Sequence, residues 1–380
     1  MTVSSIVALL APLVGLLLFG RLRRLSPLPV EGVGRQVALV IPARNEEASL
    51  GNLLRDIENL GVQPDHVVVV DDHSTDATRA IALAFPWVVV EDAPPVPTGW
   101  LGKPWACQHG ADVAMSLVDG EAVLVFLDAD VRLRPDALGA LLANAEAGGV
   151  VSVQPFHDVP TATEQLSGVF NLVSLMGVGA GTSRPSAIFG PVICCSVADY
   201  VRVGGHRSVR SALVEDVELG HRFLAAGARI RVFGGDELVS FRMYPTGLRS
   251  MIEGWCKNMA IGAASVPLWR TVAVGWWITG LVMGSTAYLE AVVDVLRATV
   301  PATVTILTVL LTSVCLAILL RRVGSFRWWT ISLYPALVVF FVVVFLRSTW
   351  MTHVRRSVTW RGRTIDLSEG VDDAVARWTP

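Results

Sequence analysis

The sequence predicts an α/β protein with a mostly parallel sheet, carried on apolar segments at both ends of the chain. Two observations lead there. Between Val37 and about Leu238, short apolar runs without polar alternation take turns with stretches of helical periodicity, the rhythm of buried parallel strands joined by right-handed crossovers. The chain as a whole is unusually apolar, with 52% hydrophobic and 17% charged residues among the 380 and a mean hydropathy of +0.53, and the excess is concentrated at its two ends.

Composition excludes some classes. A net charge of −2 argues against a general nucleic-acid binder. Five cysteines (Cys107, Cys194, Cys195, Cys256 and Cys315) in no CxxC spacing imply neither a disulfide framework nor a zinc site, and point to a reducing compartment.

In order, Ser4–Gly20 is a 17-residue uncharged run followed at once by Arg21, Arg23 and Arg24. Positive charge behind the run rather than before it reads as a retained anchor over residues 1–24, with the chain beyond Arg24 in the cytoplasm. Ser26–Gly34 is a linker. Val37–Ile41 is a buried strand stopped by Pro42, and Glu46–Leu60 a helix. Val67–Val70 is a second strand ending in Asp71 and Asp72. Ser74 is a suitable N-cap for a helix running to about Ala84. Trp87–Val90 is a third strand. A proline-bearing loop leads into Gly99–Trp105, which holds Lys103, and a helix follows to about Leu117. Val123–Leu127 is the most apolar strand and runs into Asp128 and Asp130. Val150–Gln154 reads as a strand, Glu164–Gly179 as a helix, and Ile188–Cys195 as a strand across the site. The catalytic domain spans residues 37–250.

Residues 251–270 read as an interfacial amphipathic helix, and residues 271–346 as a transmembrane region of three apolar runs: Thr271–Tyr288, Val300–Leu320 and Trp328–Leu346. The second ends in Arg321 and Arg322, a cytoplasmic signature. A conflict arises here. Three crossings put the tail, residues 347–380, outside, yet it carries Arg347, Arg355, Arg356, Arg361 and Arg363. Either the charge rule fails at this end or one run does not span, and the glycine-interrupted Thr271–Tyr288, followed by Glu290 and Asp294, is the weakest of the three.

Four polar clusters fall at strand ends or in loops: Pro42–Glu46, Asp71–Asp76, Lys103, and Asp128 with Asp130. Each alone is compatible with a loop, a cap or an acidic turn. In a parallel sheet all converge on one edge, where such folds bind ligands. Side chains two apart on an extended segment share a face, so Asp128 and Asp130 can meet one hard cation, Mg²⁺ or Mn²⁺, on a diphosphate.

With these motifs in place, the chain resembles the family 2 glycosyltransferases of the GT-A (Rossmann-like) fold. The resemblance rests on PARNE, VVVVDDHSTD, GWLGKPWA, FLDADVRLRPDAL and Val214–Leu219, and covers roughly residues 37–260. Within the family it looks most like membrane-anchored enzymes that glycosylate carotenoids and hopanoid-type lipids. The resemblance implies that Asp71 and Asp72 contact the uracil and ribose of a UDP-linked donor. It further implies that Ala43 and Glu46 line the nucleoside pocket and that Lys103 meets uracil or diphosphate. Asp128 and Asp130 match the metal-binding DxD motif. Asp216, preceded by Glu215, matches the general base of an inverting transfer, although acidic residues at a helix start also suit the helix dipole. His206, in a Gly-Gly-His loop, is expected to shape the acceptor side or to be structural.

Processive members carry Gln-x-x-Arg-Trp after the base. This chain has Glu253–Asn258 instead, which favours transfer of one sugar. Trp255 and Lys257 there either meet acceptor and diphosphate or anchor the helix at the interface. The expectation is a multi-pass protein of the cell membrane with a cytoplasmic catalytic domain, a nucleotide-sugar donor and a lipid acceptor. A polyprenyl-phosphate sugar synthase, a processive synthase and a non-catalytic nucleotide-sugar-binding scaffold are the alternatives.

Overall fold

The computed structural model describes residues 3–27, 34–145, 148–297, 302–355, 357–360 and 363–366. The chain divides into two compact units, one of Arg23–Phe156 with Arg184–Arg242, the other of Met1–Leu22, His157–Ser183 and Met243–Pro380. The expected 37–250 domain is therefore interrupted, because residues 157–183 group with the apolar helices.

The first unit is built on an eight-stranded sheet. Its members in chain order are β1 (Arg23–Arg24), β2 (Val37–Ala43), β3 (His66–Asp71), β4 (Val89–Asp92), β5 (Val123–Leu127), β7 (Val150–Gln154), β9 (Val192–Ser196) and β10 (Ile230–Gly234), while β6 (Val131–Leu133), β8 (Phe156–His157) and β11 (Val239–Phe241) form a smaller sheet. The large sheet runs β1-β10-β7-β9-β5-β2-β3-β4. All its pairings are parallel except those of β9, which is antiparallel to β5 and β7.

Strands β2, β3 and β5 are buried almost throughout because helices cover both faces. On one face Leu39, Ile41, Val69 and Val125 pack with Leu50, Leu53, Leu54 and Ile57 of α2 (Leu50–Glu58) and with Leu138 and Leu141 of α5 (Ala137–Ala145). On the other lies α4 (Gly102–Leu117). A Cβ at Gly110 would come within 2.6 Å of Val40 and 2.8 Å of Val70, so the missing side chain lets α4 sit directly on β2 and β3.

Several element boundaries differ from the sequence reading. β2 continues through Pro42 to Ala43, since a proline lacking N–H still offers its carbonyl. The helix expected from Ser74 begins at Thr78, as α3 (Thr78–Leu83), and the hydroxyl of Ser74 instead accepts the N–H of Asn45 at 3.0 Å. Lys103 stands in the first turn of α4 rather than in a loop. β9 starts at Val192, leaving Gly190 and Pro191 as a turn. It runs straight into α7 (Val197–Arg202), which the Ser196 hydroxyl caps by accepting the Asp199 N–H at 3.0 Å.

The second unit is helical. Its helices are α1 (Val3–Phe19), α6 (Gly168–Val178), α9 (Leu248–Ala264), α10 (Leu268–Leu296), α11 (Thr303–Arg321), α12 (Trp328–Ser332) and α13 (Tyr334–Trp350). Three helices among the described residues are long and apolar enough to cross a membrane: Leu268–Leu296, Thr303–Arg321 and Tyr334–Arg355, while α1 is a shorter apolar helix. Small residues bring α1 onto α10, where a Cβ at Gly280 would strike that of Ala11 and one at Gly15 would strike Trp277. The run expected to be weakest, Thr271–Tyr288, is thus inside the longest helix. Arg356 and Arg361 lie outside the described residues.

Candidate active site

Register brings the polar clusters level. Val40 of β2 pairs with Phe126 of β5, and Ala43 of β2 with Asp71 of β3. The carboxyl ends of three neighbouring strands therefore form one edge. At about 4.8 Å per strand, Asp71 and Asp128 stand roughly 10 Å apart along it.

At the β2–β3 end, Asp71 and Asp72 are buried at 6% and 5% exposure. Arg44 Nη1 donates to the backbone oxygen of Asp72 at 3.0 Å and pairs with Oδ2 at 3.3 Å. Oδ1 of each aspartate is buried without a hydrogen-bond partner among the described residues. An unsatisfied buried acceptor on each of two successive residues is costly unless a donor-bearing ligand arrives. The flanking Asn45 and His73 both take left-handed backbone, at φ 53° and 58°. Such strain collects at sites that a fold over-determines. Here the N–H of Thr75 on the Asn45 side chain at 2.8 Å, together with Ser74 on the Asn45 backbone, ties the two loops. Ala43 accepts the Asp72 N–H at 2.8 Å, and Glu46 accepts the hydroxyl of Ser49 at 2.7 Å while its N–H reaches Thr78.

At the β5 end, Lys103 Nζ lies 2.8 Å from Asp128 Oδ1 and 3.2 Å from Glu215 Oε1. Burial works against its charge, but the two carboxylates outweigh it and hold the ammonium pKa well above the usual value. Glu215 and Asp216 open α8 (Glu215–Ala225). Asp216 Oδ2 accepts the N–H of Gly190 at 2.8 Å, and Oδ1 that of Val217 at 2.9 Å. Burial, then the adjacent Glu215, raises the Asp216 carboxyl to about 6. A carboxylate that titrates near neutral pH is suited to taking a proton.

Sequence reasoning missed Gly190. Its neighbour Pro191 accepts the Asp128 N–H at 3.0 Å, so the turn is fastened to both acidic elements. A Cβ at Gly190 would sit 3.3 Å from Asp216 Oδ2 and 3.4 Å from Lys103 Nζ. Only the Gly-Pro pair itself hinted at a turn. Arg44 was also missed, since only the pairing of β2 with β3 brings it to Asp72, 28 residues on.

Asp128, Lys103, Glu215, Asp216, Gly190 and His206 line one cleft. His206 does so as a neutral ring: it is 2% exposed, bonded through Nδ1 to Tyr200 at 2.9 Å, and burial lowers its pKa to about 4. A buried, neutral imidazole bonded to Tyr200 fits the structural reading of His206. Trp255 lies in the helical unit, 3% exposed and stacked on Phe170 at 4.9 Å. Its ring faces are committed to the core, against both expected roles. Lys257 lies on the same helix.

Asp128 and Asp130 are not on an extended strand as expected from alternation, because β5 ends at Leu127 and Ala129–Asp130 form a turn. The donor set nevertheless fits a hard divalent cation. No group of three His, Cys, Asp or Glu side chains is gathered for a metal among the described residues. A Mg²⁺-type ion held by one or two carboxylates, with phosphate and water completing the shell, needs none.

Residues 38–168 match the family described as Glycosyl transferase family 2. Along nearly its whole length the chain is 31% identical to 4,4'-diaponeurosporenoate glycosyltransferase of Staphylococcus aureus strain MRSA252, over 378 residues covering 97% of this chain and 98% of the relative. The counterpart in strain USA300 is 30% identical over the same span. Among solved structures, a mannosyltransferase from Pyrobaculum calidifontis in complex with GDP-Man and Mn²⁺ matches with TM-score 0.50 and 18% identity, covering 90% of this chain and 98% of that one.

Proposed function

We propose, from the premise that this chain belongs to the family 2 glycosyltransferases, that it moves a single sugar from a UDP-linked donor to an apolar membrane lipid, with inversion at the sugar carbon. The observation that carries the reading is Asp216: a carboxylate with a raised pKa, fixed by two backbone N–H groups, in one cleft with Lys103 and Asp128.

Each group then has a task. The unpartnered oxygens of Asp71 and Asp72 receive donors of the base and ribose, next to Ala43 and Glu46. Lys103 offsets diphosphate charge. Asp128 and Asp130 would hold Mg²⁺ or Mn²⁺, which when bound supplies positive charge to the departing diphosphate. Asp216 takes the proton of an acceptor hydroxyl on the face opposite the leaving group, a role worth about 10²- to 10⁴-fold in rate. Glu215 keeps the Asp216 pKa up and Lys103 in place.

The lipid acceptor is supported by the apolar helices, for which a water-soluble acceptor gives no physical reason. It is also supported by the relative whose printed name is a diaponeurosporenoate glycosyltransferase. Carotenoid and hopanoid-type lipids are the class we favour. Membranes containing the full chain, incubated with radiolabelled UDP-glucose and other UDP- and GDP-sugars and then extracted into organic solvent, test this. Label in a lipid carrying one sugar supports the reading. Label that stays with water, or a ladder of sugars, overturns it.

A further inference from the structure

We propose that the last apolar run does not cross the membrane: α12 and α13 dip into it and leave on the side they entered. By composition the run looks like a span, with mean hydropathy 1.8 over Tyr334–Arg355. What it packs against says otherwise.

One end of the helical unit is marked by three helix termini. The end of α1 meets Gly181, where the Arg21 N–H donates to the Gly181 oxygen at 3.2 Å. Near the start of α10, Arg270 donates from Nη1 to the oxygens of Gly177 and Val178, both at 3.0 Å. At the end of α11, Leu320 lies 3.0 Å from a Cβ placed on Gly168. Residues 168–181, mostly helix α6, therefore lie across the same end of α1, α10 and α11.

The chain enters the disputed run at that end. Beyond α11, the His157 N–H donates to Val323 and the Ser325 N–H to the His157 oxygen, at 2.8 and 2.9 Å. Ser325 bonds Asp158, and Gln165 accepts from the Arg327 N–H at 3.0 Å and from the hydroxyl of Thr330. So dense a polar network belongs at a membrane surface.

From there the run goes inward. The Tyr334 hydroxyl donates to Gly284 of α10 at 2.6 Å. A Cβ on Gly284 would lie 3.2 Å from Thr312 and 3.4 Å from that hydroxyl. Thr312 is about 12 Å from Leu320 along α11 at 1.5 Å per residue. Pro335 removes an N–H and lets the chain break at Leu333 between α12 and α13.

It then comes back. Leu337 is 3.3 Å from the Gly168 position, Phe341 packs on Phe170 at 4.9 Å, and Ser348 donates to the Cys256 oxygen of α9 at 2.6 Å. Gly168 and Phe170 belong to the segment that marks the end, and Trp255, next to Cys256, stacks on Phe170 as well, so α13 returns along that end, from which α9 leads into α10. The outward face of α13 stays apolar, with Val339, Val343 and Leu346 near 60% exposed. Lipid acyl chains cover that face, with Trp350 and Arg355, a cation–π pair at 5.6 Å, at the headgroup level. The run is thus flanked by Arg321 and Arg322 before it and Arg347 and Arg355 after it, all on one side. That removes the charge conflict in the tail.

Single cysteines in the full chain, labelled with a membrane-impermeant maleimide in intact and in lysed cells, test this. The five native cysteines are buried. Arg321→Cys reports the marked end and Arg297→Cys the opposite end of α10. His353→Cys is expected to label only under the condition that labels Arg321→Cys. Labelling together with Arg297→Cys, or equally from both sides, overturns the proposal. Arg355→Cys repeats the measurement should His353→Cys fail to accumulate. The readout needs no sugar transfer, so it stands or falls apart from the proposed function.

Discussion

The ammonium of Lys103 lies 2.8 Å from Asp128, tying the first turn of α4 to the end of β5, and the same ammonium holds Glu215 at 3.2 Å. One cation thus bridges two carboxylates beside Asp216, leaving one negative charge over. Lys103→Met should lower kcat/KM about 100- to 1,000-fold, the scale of losing one preorganised charge. It should also move the acid limb of the pH profile above about 6, because Lys103 lowers the Asp216 pKa. Initial rates across pH 5–9 check both.

Asp216 gives a second test through stability. Its folded pKa of about 6 exceeds the ordinary 3.8. The folded state thus holds that proton more tightly, and the associated stability, full below about 3.8, is lost as pH rises through about 6. Asp216→Asn should therefore melt above wild type at pH 8, with the difference shrinking toward pH 4. Thermal melts at the two pH values decide it.

Gly190→Ala is expected to leave melting nearly unchanged and to cut kcat about tenfold. The added Cβ, 3.3 Å from Asp216 and 3.4 Å from Lys103, displaces both groups by a fraction of an ångström. A normal rate would show that the turn does not position them.

At the other end of the edge, Asp71→Asn relieves a buried carboxylate with an unpartnered oxygen. The variant should melt a few degrees higher and bind UDP at least tenfold more weakly, the trade expected where function maintains an unfavourable group. Calorimetric titration with UDP and a melting curve test the pair of effects.

The sheet and its acidic edge were legible because a strand buried on both faces is a continuous apolar run, and Asp71 and Asp128 end such runs. Gly190 was not, since its contribution is a backbone N–H to a residue 26 positions away. Trp255 misled because an aromatic residue on a mixed helix reads alike in a core and at an interface. Only its stacking on Phe170 separates the two. The same ambiguity hid residues 157–183, whose apolar helix packs on other helices rather than on the sheet. Composition likewise made Trp328–Leu346 look like one continuous span, although the run breaks at Leu333 and the Tyr334 hydroxyl reaches Gly284 inside the bundle.

The central claim is that Asp216 takes the proton from a lipid hydroxyl as the sugar leaves its diphosphate. The most direct measurement compares wild type with Asp216→Asn, both purified with Mg²⁺ or Mn²⁺ and UDP-sugar, on a lipid alcohol and on the matching lipid carboxylate, which is already an anion. The expected result is a loss of about 10²- to 10⁴-fold with the alcohol and a much smaller loss with the carboxylate. Equal rates for the two proteins on the alcohol would contradict it.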